Sequence, residues 1–209
     1  LDGDTAVVGA PQDDGPAGQN QGSVYVFTRS GGVWTERAKL VSSDADSLEQ
    51  FGTAVGIDGG TIIVGADRDD GTGGIDQGAA YVFAGGGASW TQEAKLTASD
   101  GGGGDNLGGS VGIDGETAIV GSPFAEVGAA RPGAAYVFGR TDGAWTQHAK
   151  LTAADGEADD EFGAAVAVDD GVAVAGAPDD GGPAGSFQGS AHVFERVEGV
   201  WAGVGQTIV

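Results

Sequence analysis

Apolar residues along this chain fall into short runs separated by glycine- and aspartate-rich breaks. The stretch 51–96 shows one full set. Residues 51–57 (FGTAVGI) are small and apolar, and they end at Asp58-Gly59, a two-residue hairpin signal. Residues 61–66 (TIIVGA) form a continuous β-branched run, which predicts a strand buried on both faces. A long loop over 67–77 precedes a third run at 78–83 (GAAYVF). A glycine-rich turn then leads to 90–96 (WTQEAKL), which alternates. Trp90, Gln92, Ala94 and Leu96 share one face; Thr91, Glu93 and Lys95 share the other. Alternation marks a half-exposed strand, and a lysine on its outer face discourages pairing with other chains. The unit thus reads as buried strands first and an edge strand last. No segment carries helical periodicity.

The same set recurs. Gly9-Ala10-Pro11, Gly65-Ala66-Asp67, Gly121-Ser122-Pro123 and Gly176-Ala177-Pro178 stand in register with Tyr25-Val26-Phe27, Tyr81-Val82-Phe83, Tyr136-Val137-Phe138 and His192-Val193-Phe194. Tryptophans follow at Trp34, Trp90, Trp145 and Trp201, spaced 56, 55 and 56 residues apart. Four markers in register at such a period predict an all-β chain of four-stranded antiparallel blades, a β-propeller of one domain over 1–209. The repeats fall approximately at 1–50, 51–106, 107–161 and 162–209. Gly52, Ala54, Gly56, Gly163, Ala164 and Ala165 keep the first strands small, where blades converge. Leu1-Asp2-Gly3-Asp4-Thr5 joins the pattern after its first strand, so the expected strand count is three, four, four and four. That count leaves three closures open: part of a larger ring, an incomplete first blade, or completion by a second chain. Methionine is absent, including at position 1, and no signal-like start is present, so the chain reads as a piece of something longer.

Composition narrows the partners. Glycine numbers 43, without a collagen period, which suits short strands and tight turns. Nine Lys and Arg stand against 31 Asp and Glu, a net charge of −22. Such a surface repels phosphate backbones, which argues against nucleic acid and anionic membranes, and no run is long enough for direct membrane insertion. The acid excess has two readings: cation binding by particular aspartates, or a solvated acidic surface of halophilic type. Cysteine is absent, which removes disulfides and thiolate metal sites.

Phe51-Gly52 with Gly65-Ala66, and Phe162-Gly163 with Gly176-Ala177-Pro178, resemble the FG-GAP repeat of integrin α-subunit propellers. The flanking AKLTASDGGGGDNLG and AKLTAADGEADDEFG look more like the prokaryotic, surface-associated branch. The resemblance implies a β-propeller, commonly seven-bladed, on secreted or cell-surface proteins, used for adhesion or ligand recognition and sometimes binding calcium. Two departures stand out. The family's calcium loop between its FG and GAP strands is here only Ile57-Asp58-Gly59-Gly60-Thr61, too short to supply the oxygens calcium takes. Leu107 replaces the third Phe.

Acids recur elsewhere. Asp44, Asp100 and Asp155 each stand seven residues ahead of the Phe or Leu, with Glu49, Asp105 and Asp160 five residues further on. The loops after GAP carry Asp13-Asp14, Asp69-Asp70 and Asp179-Asp180, while the third unit has Phe124-Ala125. Were these two loop sets to meet on one face, calcium is the cofactor they would suit, held by Asp44, Glu49, Asp69, Asp70, Asp100, Asp105, Asp155, Asp160, Asp179 and Asp180, and bound worst by the third blade. The competing reading makes them turn residues that hydrogen-bond neighbouring amides. His148 and His192 lack predicted convergent partners, and Gly101-Gly102-Gly103-Gly104 is a flexible loop with no Lys-Ser/Thr to make a phosphate cradle.

No nucleophile elbow, P-loop or distinct carboxylate pair appears, so no enzyme is expected. The first functional expectation is an extracellular or cell-surface recognition module, binding a protein or glycan through the loops over 11–22, 67–78, 123–133 and 178–189. The alternative is a structural subunit of a surface or filament assembly, joined to neighbouring copies of itself.

Overall fold

The computed structural model describes residues 1–128, 130–181 and 188–208, with side chains through 204. Every regular element among them is a strand. The order is β1 (Thr5–Ala10), β2 (Ser23–Ser30), β3 (Val33–Leu40), β4 (Val55–Asp58), β5 (Thr61–Ala66), β6 (Ala79–Gly86), β7 (Ser89–Leu96), β8 (Ser110–Asp114), β9 (Thr117–Ser122), β10 (Ala134–Thr141), β11 (Ala144–Leu151), β12 (Ala165–Asp169), β13 (Val172–Ala177), β14 (Ser190–Val197) and β15 (Val200–Ile208). They form one three-stranded and three four-stranded antiparallel sheets, each a meander of consecutive strands. Among the described residues, contacts of appreciable extent run only between consecutive sheets, and the blades do not close into a ring.

Each sheet is sandwiched between its neighbours, and this explains the unbroken apolar run of β5. Ile62 and Val64 pack with Val24, Val26, Tyr81 and Phe83 against the first sheet. Ile63, Ala80 and Val82 point the other way, into a core shared with Leu107, Val120 and Tyr136. Alternate residues of one strand therefore feed two different cores. The outer strand β7 carries the expected alternation: Leu96 is buried and Trp90, Gln92 and Ala94 are half-buried, while Thr91, Glu93 and Lys95 are exposed. A bulge interrupts each of the first three outer pairs, after Val26, Val82 and Val137. The extra residues are Arg37, Glu93 and His148, and such bulges add twist to the outer edge.

The first strand of each unit is shorter than the pattern predicts. The expected strand at 51–57 is β4, Val55–Asp58, and Phe51-Gly52 lie outside it. The reason is backbone geometry. Gln50 and Gly52 have φ of 56° and 98°, which breaks the extended chain. Phe51 instead makes a parallel bridge to Gly22 of the preceding sheet, as Leu107 does to Gly78 and Phe162 to Gly133. The Phe51 N–H donates to the Gln21 carbonyl at 3.1 Å. Its ring turns back into its own sheet, edge-on to Tyr81 and Phe83. The Phe-Gly step is thus a clasp between blades. Its tightness demands glycine on both sides: a Cβ on Gly9, Gly65 or Gly121 would lie 1.9–2.0 Å from the carbonyl oxygen of Gly52, Gly108 or Gly163.

A second series of inter-blade bonds runs along the inner hairpins. The Asp2 carboxylate accepts the Gly59 N–H at 2.9 Å, Asp58 accepts that of Gly115 at 2.7 Å, and Asp114 that of Asp170 at 2.9 Å. The recurring hairpin aspartates therefore tie each turn to the next, beyond forming the turns themselves.

Candidate functional site

The connectors that precede each Phe/Leu-Gly step fold against the long loops between second and third strands. Leu48 N–H donates to Gln19 O at 2.8 Å, Gly104 N–H to Ile75 O at 2.8 Å, and Asp159 N–H to Arg131 O at 3.2 Å. The two acid-bearing loop sets thus share one face, which is the candidate functional surface. Residues 182–187, within the fourth long loop, lie outside the described residues.

All three lysines of the chain occupy one place in the blade, opposite the tyrosine of the third strand. Each ammonium lies 5.3–5.4 Å from the ring centre of that tyrosine, a cation–π contact. Lys39 donates to Asp13 at 2.8 Å, and Asp13 also accepts from Ser23 and Tyr25. The Lys39 bond, with those of Ser23 and Tyr25, holds the Asp13 carboxyl down at about 2. Lys95 donates to both Asp44 and Asp69 at 2.8 Å, and the Tyr81 hydroxyl donates to Asp69. Burial works against charge on Lys95, but its two carboxylates outweigh it and raise its pKa. In the third blade Ala125 stands where Asp69 would, and Lys150 turns to Asp100 at 2.7 Å and to the Glu126 carbonyl. For Asp44 and Asp100, burial raises the pKa, yet hydrogen bonds from lysine and tyrosine outweigh it and bring it below the usual value. Burial and then Asp69 push the Tyr81 hydroxyl far up; burial and then Asp100 do so for Tyr136. These lysines are bound inward and do more than guard an edge. In the fourth blade His192 replaces the tyrosine and pairs with Thr207.

The second member of each acid pair is buried: Glu49, Asp105 and Asp160. Asp105 accepts the Gly102 N–H at 2.7 Å and Asp160 that of Glu157 at 2.6 Å, each capping its own tight loop. Arg131 also reaches Asp105 at 3.5 Å. Burial raises the pKa of Glu49 and of Asp105. Asp70 caps the Asp76 N–H at 2.9 Å, Asp155 is exposed, and Asp179 donates its N–H to the Asp160 carbonyl. The Asp180 carbonyl accepts from Gln188 and Gly189. Among the described residues no three of these carboxylates converge so as to hold a metal ion. In the second blade the pair Asp44 and Asp69 does not suit calcium, because the Lys95 ammonium already sits between them where a cation would.

The remaining sequence features have structural roles. His192 shares a hydrogen bond with Ser190 and tilts against Phe162. The His148 ring covers Gly139 so closely that a Cβ there would lie 2.1 Å from it. The glycine run is packed rather than free: Gly101 accepts Gln77 Nε2, and Gly103 lies against Gly74 and Ile75.

What the loop face does offer is a cavity of about 540 Å³ between residues 44–49 and 68–76. Its walls carry Asp44, Asp46, Glu49, Asp70 and Asp76 against Arg68 and Lys95. Glu49 Oε2 has no hydrogen-bond partner among the described residues. Arg68, Asp46 and Asp76 were not singled out by the sequence pattern. The signal available was that 67–78 departs from its counterparts in composition, which marks a variable loop without locating a concavity.

Meandering sheets that stand side by side, each clasped to the next by a Phe-Gly or Leu-Gly step, define a repeat-built β-propeller architecture. The FG-GAP repeat family matches residues 1–27, 34–83, 90–138 and 145–194, and the chain belongs to that family. The last three matched segments each begin on the outer strand of one sheet and end on the third strand of the next, so the repeat spans the junction that the clasp closes. A comparison with curated proteins finds no match.

Proposed function

We propose that this chain is a non-catalytic recognition module of an extracellular or cell-surface protein, binding a protein or glycan through its loop face. The observation that carries this reading is the acidic cavity between 44–49 and 68–76, built from variable loops on a repeated framework. Five carboxylates against two cations suit a partner that presents basic or hydroxyl-bearing groups. The FG-GAP family membership supports the extracellular setting. No helix among the described residues is long and apolar enough to cross a membrane.

A glycan array and a panel of basic peptides, screened with the purified chain, test this. The expected result is a ligand whose binding is lost in Asp46→Ala/Arg68→Ala and kept in Arg196→Ala. Binding untouched by the cavity substitutions overturns the assignment to this face. The second reading is a structural subunit of a surface or filament assembly, and the half-buried apolar residues Val174, Ala191 and Val193 of the fourth sheet favour it. It predicts concentration-dependent assembly in light scattering, and a strictly monomeric chain counts against it.

A further inference from the structure

The junctions on either side of the second sheet are built alike, but their buried acids are neutralised differently. Glu49 stands two residues before Phe51 and Asp105 two before Leu107, so the two acids hold the same place in successive units. In the third unit Arg131 stands two residues before Gly133, the glycine that the next clasp covers. Its guanidinium donates to the Gly104 carbonyl at 2.8 Å and lies 3.5 Å from the Asp105 carboxylate. Two residues before Gly78, the second unit has Asp76, a carboxylate where the third unit has a cation. Glu49 thus lacks the partner that its counterpart has. It is only 7% exposed, and its Oε2 makes no hydrogen bond among the described residues.

Glu49 and Asp76 both line the cavity of about 540 Å³ between 44–49 and 68–76. Five carboxylates stand there against Arg68 and Lys95, a deficit of three positive charges, and Lys95 is already engaged by Asp44 and Asp69. Among the described residues no three acids converge to hold a metal ion, so the deficit is spread along the cavity. The walls are partly aliphatic, because Leu48 and Ile75 line the cavity while 54% and 74% exposed. Leu48 has φ of 72°, a left-handed conformation costly for a bulky side chain, and its N–H bond to Gln19 O holds it there.

We propose that this cavity binds a linear aliphatic polyamine, a small organic cation whose ammonium groups are spaced by methylene stems. Such a ligand rests on the reading of the cavity as the binding site of the loop face, and it goes beyond the protein or glycan partner. A triamine brings the three missing charges on one molecule, whereas a partner protein would have to crowd three side chains into the same volume. Spaced ammonium groups suit separated carboxylates, each gaining charge-assisted hydrogen bonds. The stems lie along Leu48 and Ile75, as aliphatic stems of charged side chains lie on apolar surface. One ammonium reaches Glu49 Oε2 and gives that buried carboxylate the cation that Arg131 gives Asp105.

The test titrates spermidine, a triamine, calorimetrically into the intact chain at about 0.15 M salt, which screens diffuse attraction to the acidic surface. Saturable binding of about one equivalent below about 1 mM is expected. Glu49→Gln should weaken it at least about tenfold, without lowering the thermal midpoint, since a buried charge is removed. Asp76→Arg supplies the cation from within, as Arg131 does, and should abolish binding. Glu198→Gln, at an exposed acid outside the cavity, should leave it unchanged. Absence of saturable binding, binding kept in both cavity variants, or equal weakening by Glu198→Gln overturns the proposal. So does calcium that displaces spermidine at equal charge concentration. Trilysine or a glycan that binds the cavity where spermidine does not also overturns it, and leaves the recognition reading of this face standing. Spermidine bound where no peptide or glycan binds upholds the small-cation site alone.

Discussion

Asp58 and Gly115, 57 residues apart, meet across two blades, where the Asp58 carboxylate accepts the Gly115 backbone N–H at 2.7 Å. The same contact recurs one blade earlier from Asp2 and one blade later from Asp114. Asp58→Ala removes the acceptor at a solvent-exposed site, where the freed N–H finds water. The expected loss is about 1 kcal/mol in denaturant unfolding, and Asp58→Asn, which keeps a carbonyl oxygen, should retain most of it.

The three lysines share a place but not an environment. Asp69 is fully buried beneath Lys95, whereas Asp13 beside Lys39 is partly exposed. Lys95→Met leaves a buried carboxylate without its cation and should cost about 3 kcal/mol. Lys39→Met should cost less, about 1 kcal/mol or under, as ion pairs near the surface usually do. Equal losses in the two variants would refute this ranking.

The pH response should have two opposing parts. Lys39, Ser23 and Tyr25 hold Asp13 at about 2 against an ordinary 3.8, so its contribution is present above 3.8 and is lost as pH falls through about 2. Asp44 and Asp100 act in the same direction. Glu49 is shifted the other way by burial, so its contribution is present below its ordinary 4.5 and is lost as pH rises through its folded value. Glu49→Gln should therefore stabilise the chain at neutral pH, and the gain should vanish below 4.5 when midpoints are compared across pH.

Phe51 is fully buried, edge-on to two aromatic rings, while its backbone holds the preceding sheet. Phe51→Ala should cost about 3–5 kcal/mol. Because the ring lies between the first two sheets, proteolysis of the variant should begin in residues 1–50.

Calcium should leave stability unchanged at matched ionic strength, since Asp44, Asp69 and Asp100 are held by lysines and Asp70, Asp105 and Asp160 accept backbone amides. Salt of any kind should raise stability by screening a net charge of −22. A saturable midpoint shift with calcium alone would contradict the first expectation, and a midpoint that falls with salt would contradict the second.

Much of this architecture was legible in the residues. The runs TIIVGA and WTQEAKL announced a doubly buried strand and a half-exposed one because side-chain burial follows the local period of two. Their recurrence with Tyr-Val-Phe and tryptophan announced the blade and its repetition. What local patterning cannot encode is which sheet a residue serves. Phe51-Gly52 read as the start of a strand, and only packing against Gly9 and Gly22 shows it to be a clasp between sheets. Asp58 read as a turn residue, yet its acceptor role exists only because the hairpin at Gly115 lies beside it. The acids read first as turn caps, with calcium ligation as the lesser alternative. The tertiary structure gives two of them a partner that neither reading named, by bringing Lys95 from the outer strand between Asp44 and Asp69, which lie 25 residues apart in the chain. Composition and period determined the blade; convergence of distant side chains, a property of packing alone, determined what its charged residues do.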